Sequence, residues 1–195
     1  MSGQVYTIRK KIFTLLHSNF HVYDEQGAVV LYCRMKAFRL REDIRIYTGE
    51  DMAHEVLTIR ARQVFDFGAT YDVRDPTNGE LVGALRRKAL KSVLRDEWTI
   101  LSPQDEEIGF IQEDSMAMAL ARRILGMTIE IIGQMLPQTF HGMLHETKVL
   151  EFRRHFNPFV LKMDLDFTPD TGGLLDRRMG FAAALLLSAV EGRQE

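Results

Sequence analysis

The chain has 195 residues, a net charge of -2 at pH 7 and one cysteine. The length suits one large domain or two small ones, the weakly acidic balance argues against broad nucleic-acid binding, and the lone Cys33 rules out an internal disulfide and any need for an oxidising compartment. Hydrophobic residues at 46% and charged residues at 27% are ordinary for a soluble globular protein.

At the N-terminus the apolar run 12–16 is too short for a signal peptide, and Ser2 stands where myristoylation requires glycine. A cytoplasmic location is therefore expected. Four stretches then repeat one layout of strand, polar turn and strand: 20–32, 44–59, 70–82 and 98–111. Each turn has suitable chemistry. Gly27 follows Asp24 at hairpin spacing, Pro76 presets a turn torsion, and Asn78-Gly79 tolerates positive φ. Cys33 ends the strand-like run Val29-Val-Leu-Tyr-Cys and reads as a small packing residue rather than a nucleophile. The words Ile8-Arg-Lys-Lys-Ile-Phe and Leu85-Arg-Arg-Lys-Ala-Leu echo each other. Two halves of a closed sheet would produce that echo, and so would chance.

Residues 115–134 read as helix, capped by Asp114-Ser115, divided at Gly126 and ended by Pro137. A hairpin follows, 139–144 with 148–154, around His145-Glu146-Thr147. Residues 159–167 alternate without exception: Phe159, Leu161, Met163, Leu165 and Phe167 on one face, Val160, Lys162, Asp164 and Asp166 on the other. From Met179 to Val190 twelve residues carry no charge, and Gly192 is placed as a stop. Ala and Leu make this a helix, and one apolar on every side must be surrounded by protein or lipid. It rises about 18 Å, whereas a bilayer core needs about 30 Å, so protein is the better surround.

About twelve strands would leave exposed edges unless the sheet closed, and a barrel of that size has an interior wider than facing side chains can fill. The predicted fold is therefore mainly β. It is a closed antiparallel barrel around a buried hydrophobic C-terminal helix, with a helical insertion near 115–136, all in one domain over 1–195. Small residues Gly180, Ala182, Ala183, Ala184 and Ala189 would let strands approach the helix closely.

Several words in this order resemble a known family: Tyr6-Thr-Ile-Arg-Lys-Lys, Val22-Tyr-Asp-Glu-Gln-Gly, Tyr71-Asp-Val-Arg-Asp-Pro, Trp98-Thr-Ile-Leu, Ile108-Gly-Phe-Ile-Gln-Glu-Asp-Ser, Phe156-Asn-Pro-Phe-Val-Leu-Lys-Met-Asp-Leu-Asp-Phe and Leu175-Asp-Arg-Arg-Met-Gly. Together with the closing apolar helix they make the chain similar to the LURP-one-related group of the tubby C-terminal-like superfamily, which also includes phospholipid scramblases. The resemblance implies a twelve-stranded barrel threaded by a hydrophobic helix. Tubby-like members bind phosphoinositides through surface Lys and Arg, and scramblases are linked to calcium and lipid. It implies little about activity.

Candidate sites are few. Arg86, Arg87, Lys88, Lys91 and Arg95 form a basic segment with no acid inside it, suited to an anionic lipid head group or acidic partner. Seven acids between Asp96 and Asp114 would neutralise it if the next hairpin folds back. Arg9, Lys10 and Lys11 are a second basic group. Asp164, Asp166 and Asp170 have the spacing of calcium ligands, but Pro169 and Leu175 occupy positions where such a loop needs glycine and a bidentate acid. His141 and His145 would share a zinc only on a helix. Met116, Met118, Met127, Met135 and Met143 suit either a partner surface or a lid over one barrel end. No Gly-x-Ser-x-Gly, Walker-type loop or Gly-x-Gly-x-x-Gly occurs. The expected function is a non-catalytic binding or scaffold domain without a cofactor, with anionic phospholipid (phosphoinositide) head groups as candidate ligand. The alternatives are a protein-interaction module acting through 115–137 and a scramblase-like lipid-associated protein. Neither nucleic-acid binding nor a membrane span is expected.

Overall fold

A computed structural model describes residues 3–11, 17–36, 44–62, 68–88, 97–114, 138–155 and 160–191. Among them run strands β1 (Val5–Lys11), β2 (His17–Tyr23), β3 (Val29–Lys36), β4 (Ile44–Tyr47), β5 (Glu55–Ala61) and β6 (Thr70–Arg74). The second half holds β7 (Leu81–Lys88), β8 (Glu97–Leu101), β9 (Glu107–Glu113), β10 (Thr139–Leu144), β11 (Thr147–His155) and β12 (Val160–Asp166). One helix, α1 (Arg177–Glu191), follows. Each hairpin expected from the repeat is present. The expected insertion over 115–136, Phe159 and the stop at Gly192 lie outside the described residues.

Every strand pairs antiparallel with its neighbours in sequence, and β1 also pairs with β12, from Val5 opposite Asp166 to Lys11 opposite Val160. The sheet is thereby a closed barrel without an edge. The turns use the predicted residues. Asp24 Oδ1 accepts the amides of Gln26 (3.0 Å) and Ala28 (2.8 Å), and Gly27 takes φ 80°. Asp75 Oδ1 accepts Thr77 N at 2.9 Å, and Gly79 takes φ 73°. A carboxylate bonded to its own downstream amides, followed by a residue free to adopt positive φ, reverses the chain in both places.

Strand alternation sends one set of side chains inward. Tyr6 and Ile8 on β1, Phe20 and Val22 on β2, Leu57 and Ile59 on β5, Trp98 and Ile100 on β8 and Leu161, Met163 and Leu165 on β12 are buried in one cluster. Every residue of α1 from Met179 to Ala189 is buried and belongs to or lies within that core. The helix begins two residues ahead of the apolar run because Asp176 caps it: its Oδ1 accepts the Arg178 amide at 2.9 Å. No helix among the described residues is long and apolar enough to cross a membrane.

The helix comes nearest to β12 on one side and to β6 and β7 on the other. Two glycines permit this. A Cβ at Gly180 would sit 2.5 Å from ring carbons of Phe167, just past β12, and one at Gly83 on β7 would sit 3.0 Å from Met179 Sδ. The Phe167 ring leaves no room for a methyl group at Gly180, and at Gly83 the Leu101 carbonyl oxygen on β8, 2.7 Å away, excludes one while the end of Met179 would also have to shift. The arc β3–β5 is not among these closest approaches.

Candidate functional site

The predicted basic segment does not form one cluster. On β7 successive side chains alternate faces. Arg86 and Lys88 have the parity opposite to that of the core residue Leu85, whereas Arg87 shares the inward parity of Leu85 and stands opposite the buried Trp98. Lys91 and Arg95 lie outside the described residues. The acids of the next hairpin do fold back. Arg86 is ion-paired with Glu107, and Lys88 Nζ lies 2.5 Å from Glu97 Oε1. Around them Arg62 bonds Asp72 and, at 2.6 Å, Asp105; Arg74 bonds Asp72 at 3.2 Å. The hydrogen bond from Arg62 holds the Asp105 carboxyl below the usual carboxylate range. The described outward cations on the β7 wall each have a carboxylate beside them. Exposed pairs of this kind contribute little stability, about 0–1 kcal/mol, but they cancel the local field that an anion would feel.

The second basic group has the opposite character. Backbone register places Tyr47, Tyr32, His21, Arg9, Lys162 and His155 in one row across six adjacent strands, β4 to β1 and on to β12 and β11. Arg9 is exposed and Lys162 half-buried. They stand directly opposite each other, two like charges on neighbouring strands, an arrangement that destabilises a sheet. Among the described residues no carboxylate pairs with either. Arg9 instead lies over the Tyr23 ring, 4.8 Å from its centre. The nearest acids are already engaged. Asp164 accepts Thr7 Oγ1 at 2.8 Å and sits 2.5 Å from His155 Nε2, and Glu50 sits 2.8 Å from His21 Nε2. His21 stacks on Tyr23, with ring centres 6.1 Å apart, and is tilted against Tyr32 at 5.1 Å on the same wall.

Sequence reading found Arg9 as a lesser candidate and missed Lys162, which stood only as one polar position on an alternating strand. The signal that joins them is cross-strand register, and that is a property of the closed sheet.

The calcium candidates do not converge. Asp164 is bonded as above, Asp166 Oδ1 accepts Thr168 N at 2.7 Å, and Asp170 accepts Leu174 N and Leu175 N at 2.8 and 3.0 Å. Asp164 is occupied by side chains of the two neighbouring strands, and Asp166 and Asp170 by the turn that follows β12. His141 sits on β10, 3.2 Å from Asp114 Oδ2, and His145 is in the following turn at φ 51°, so the helical spacing a shared zinc needs is not present. Among the described residues no three His, Cys, Asp or Glu side chains form a group able to hold a metal. Of the Met-rich stretch, residues 115–137 lie outside the described residues.

Cys33 is buried, and burial pushes its thiol up to about 12. A thiol so far above neutrality is a packing group, as its place in the strand suggested.

A model of the LURP-one-related family matches residues 29–171. No curated protein matches the chain.

Proposed function

The chain belongs to the LURP-one-related family, within the tubby-like C-terminal superfamily, and on that premise we propose that it is a non-catalytic, cytoplasmic binding domain that holds anionic phospholipid head groups against the outer wall formed by β2, β1, β12 and β11. One observation carries the reading: Arg9 and Lys162 oppose each other with no carboxylate between them. Folding tolerates that repulsion, and a bound phosphate would relieve it by pairing with both cations. His21 and His155 flank the pair, and the half-buried Tyr23, whose ring lies under Arg9, adds an amphipathic aromatic group of the kind suited to a membrane interface. The β7 wall is the weaker contributor, because a ligand there must first displace Glu107 and Glu97.

The test is co-sedimentation with phosphatidylcholine vesicles with and without phosphoinositide. The expected result is retention by the anionic vesicles that weakens with added salt. It should also fall about fivefold for each of Arg9→Ala and Lys162→Ala, from roughly 1 kcal/mol per cation near a charged surface. Arg86→Ala with Lys88→Ala should have the smaller effect. Absence of retention at low salt, or retention unchanged in the Arg9/Lys162 double variant, would remove the proposal.

A further inference from the structure

The off-centre packing of α1 leaves a cavity on the side the helix does not fill. It has a volume of about 310 Å³ and lies between Leu31 on β3, Ile46 on β4, Val56 and Leu57 on β5 and the first turns of the helix at Arg177 and Phe181. That volume is at the small end of ligand pockets, which run to about 300–1,000 Å³. It corresponds to roughly ten waters at liquid density, yet most of its wall offers water nothing to bond. Apolar walls favour an apolar occupant.

Its rim is cationic, and the two rim cations differ. Arg178 is neutralised, with Nη2 2.7 Å from Asp176 and Nη1 3.0 Å from Asp75. Arg177 has only neutral partners among the described residues. It donates to the Gly3 carbonyl and, at 2.8 Å, to Gln4 Oε1, and its guanidinium lies 5.0 Å from the centre of the Phe167 ring. A guanidinium presents five donors, so capacity remains for an anion. A second unspent donor sits at the same corner. The Tyr6 hydroxyl is buried with no hydrogen-bond partner, and its ring packs 4.9 Å from that of Phe181.

We infer that this cavity binds a small anionic amphiphile, its aliphatic body lodged between Leu31, Ile46, Leu57 and Phe181 and its carboxylate or phosphate held by Arg177. The site is separate from the outer wall proposed for head groups. It takes a single chain-bearing molecule rather than a membrane surface.

The experiment is isothermal titration of the full chain with octanoate, octyl phosphate and octanol, all below their aggregation concentrations. Octanoate or octyl phosphate should bind at least tenfold more tightly than octanol, and the ratio of the two anions separates a fatty-acid from a phosphorylated source. Arg177→Gln should weaken the anions at least tenfold and leave octanol unchanged, Arg177→Lys should restore most of the loss, and Val56→Phe should weaken all three. Arg9→Ala with Lys162→Ala should leave octanoate binding intact, so failure of the head-group reading and failure of this one are separable. In the wild-type chain, methyl NMR shifts on adding octanoate should concentrate at Leu31, Ile46 and Leu57. This readout decides the matter if a variant does not fold. Absence of binding to millimolar concentrations, octanol binding as tightly as the anions, or methyl shifts away from these residues would overturn the inference.

Discussion

Arg9 on β1 stands directly across the ladder from Lys162 on β12, whereas Arg86, six places round the ring on β7, stands across from Thr99 and is ion-paired with Glu107. The two arginines occupy equivalent places in the echoed words Ile8-Arg-Lys-Lys and Leu85-Arg-Arg-Lys, each following a buried inward residue. One is electrostatically quenched and the other is opposed by a like charge. On the proposed function, that difference, rather than the number of basic residues in a stretch, selects the wall that takes the anion.

Lys162→Glu turns the repulsion into an attraction. Cross-strand pairs of opposite charge contribute about 0.2–1 kcal/mol, so urea unfolding should show this variant more stable than wild type. Its retention on phosphoinositide vesicles should fall more than that of Lys162→Ala. A variant that is both less stable and undiminished in retention would contradict the role of the pair.

Glu97→Gln with Glu107→Gln frees Lys88 and Arg86 on the opposite wall. Vesicle retention should rise, with a steeper salt dependence than wild type. The unfolding free energy should change by less than about 1 kcal/mol, because both pairs are partly solvated.

Gly180→Ala pits two effects against each other. Alanine is the better helix former by about 1 kcal/mol. Its Cβ would however lie 2.5 Å from the Phe167 ring, and overpacking a core costs about 1–3 kcal/mol. The expected outcome in denaturant titration is net destabilisation, partly relieved by Phe167→Leu in the same chain.

Cys33 makes stability depend on alkaline pH. Its folded thiol is pushed up to about 12 by burial, and an unfolded thiol ionises near about 8.5. Ionisation therefore favours the unfolded chain. The protonated thiol's contribution is complete below about pH 8.5 and is lost as pH rises toward 12. Cys33→Ala should cost about 1 kcal/mol at pH 7, and because each pH unit above about 8.5 removes up to about 1.4 kcal/mol from the wild type alone, the gap should close at about pH 9 and then reverse in urea titrations. A gap independent of pH up to 10.5 would exclude this linkage.

Much of the barrel was legible before any coordinates. Alternation along residues 159–167 foretold the inward set Leu161, Met163 and Leu165, and the turn chemistry of Asp24 with Gly27 and of Pro76 with Gly79 foretold where hairpins reverse. Those signals are local, and local sterics decide them. The candidate site was less legible because charge runs are read along the chain while a sheet arranges charges across it. Arg86, Arg87 and Lys88 looked like one patch, but the pleat sends Arg87 to the other face. Arg9 and Lys162 are 153 positions apart in the sequence, and only the closure of β1 on β12 brings them together.

That closure also has a kinetic side. The pairing of β1 with β12 and the burial of α1 both wait for the last described elements to be synthesised. Until then a growing chain holds several hairpins whose greasy faces have no lid, a state prone to clumping. Nascent copies should therefore lean on chaperones until α1 leaves the ribosome, and chains stopped ahead of Arg177 should accumulate in aggregates rather than as a smaller folded form.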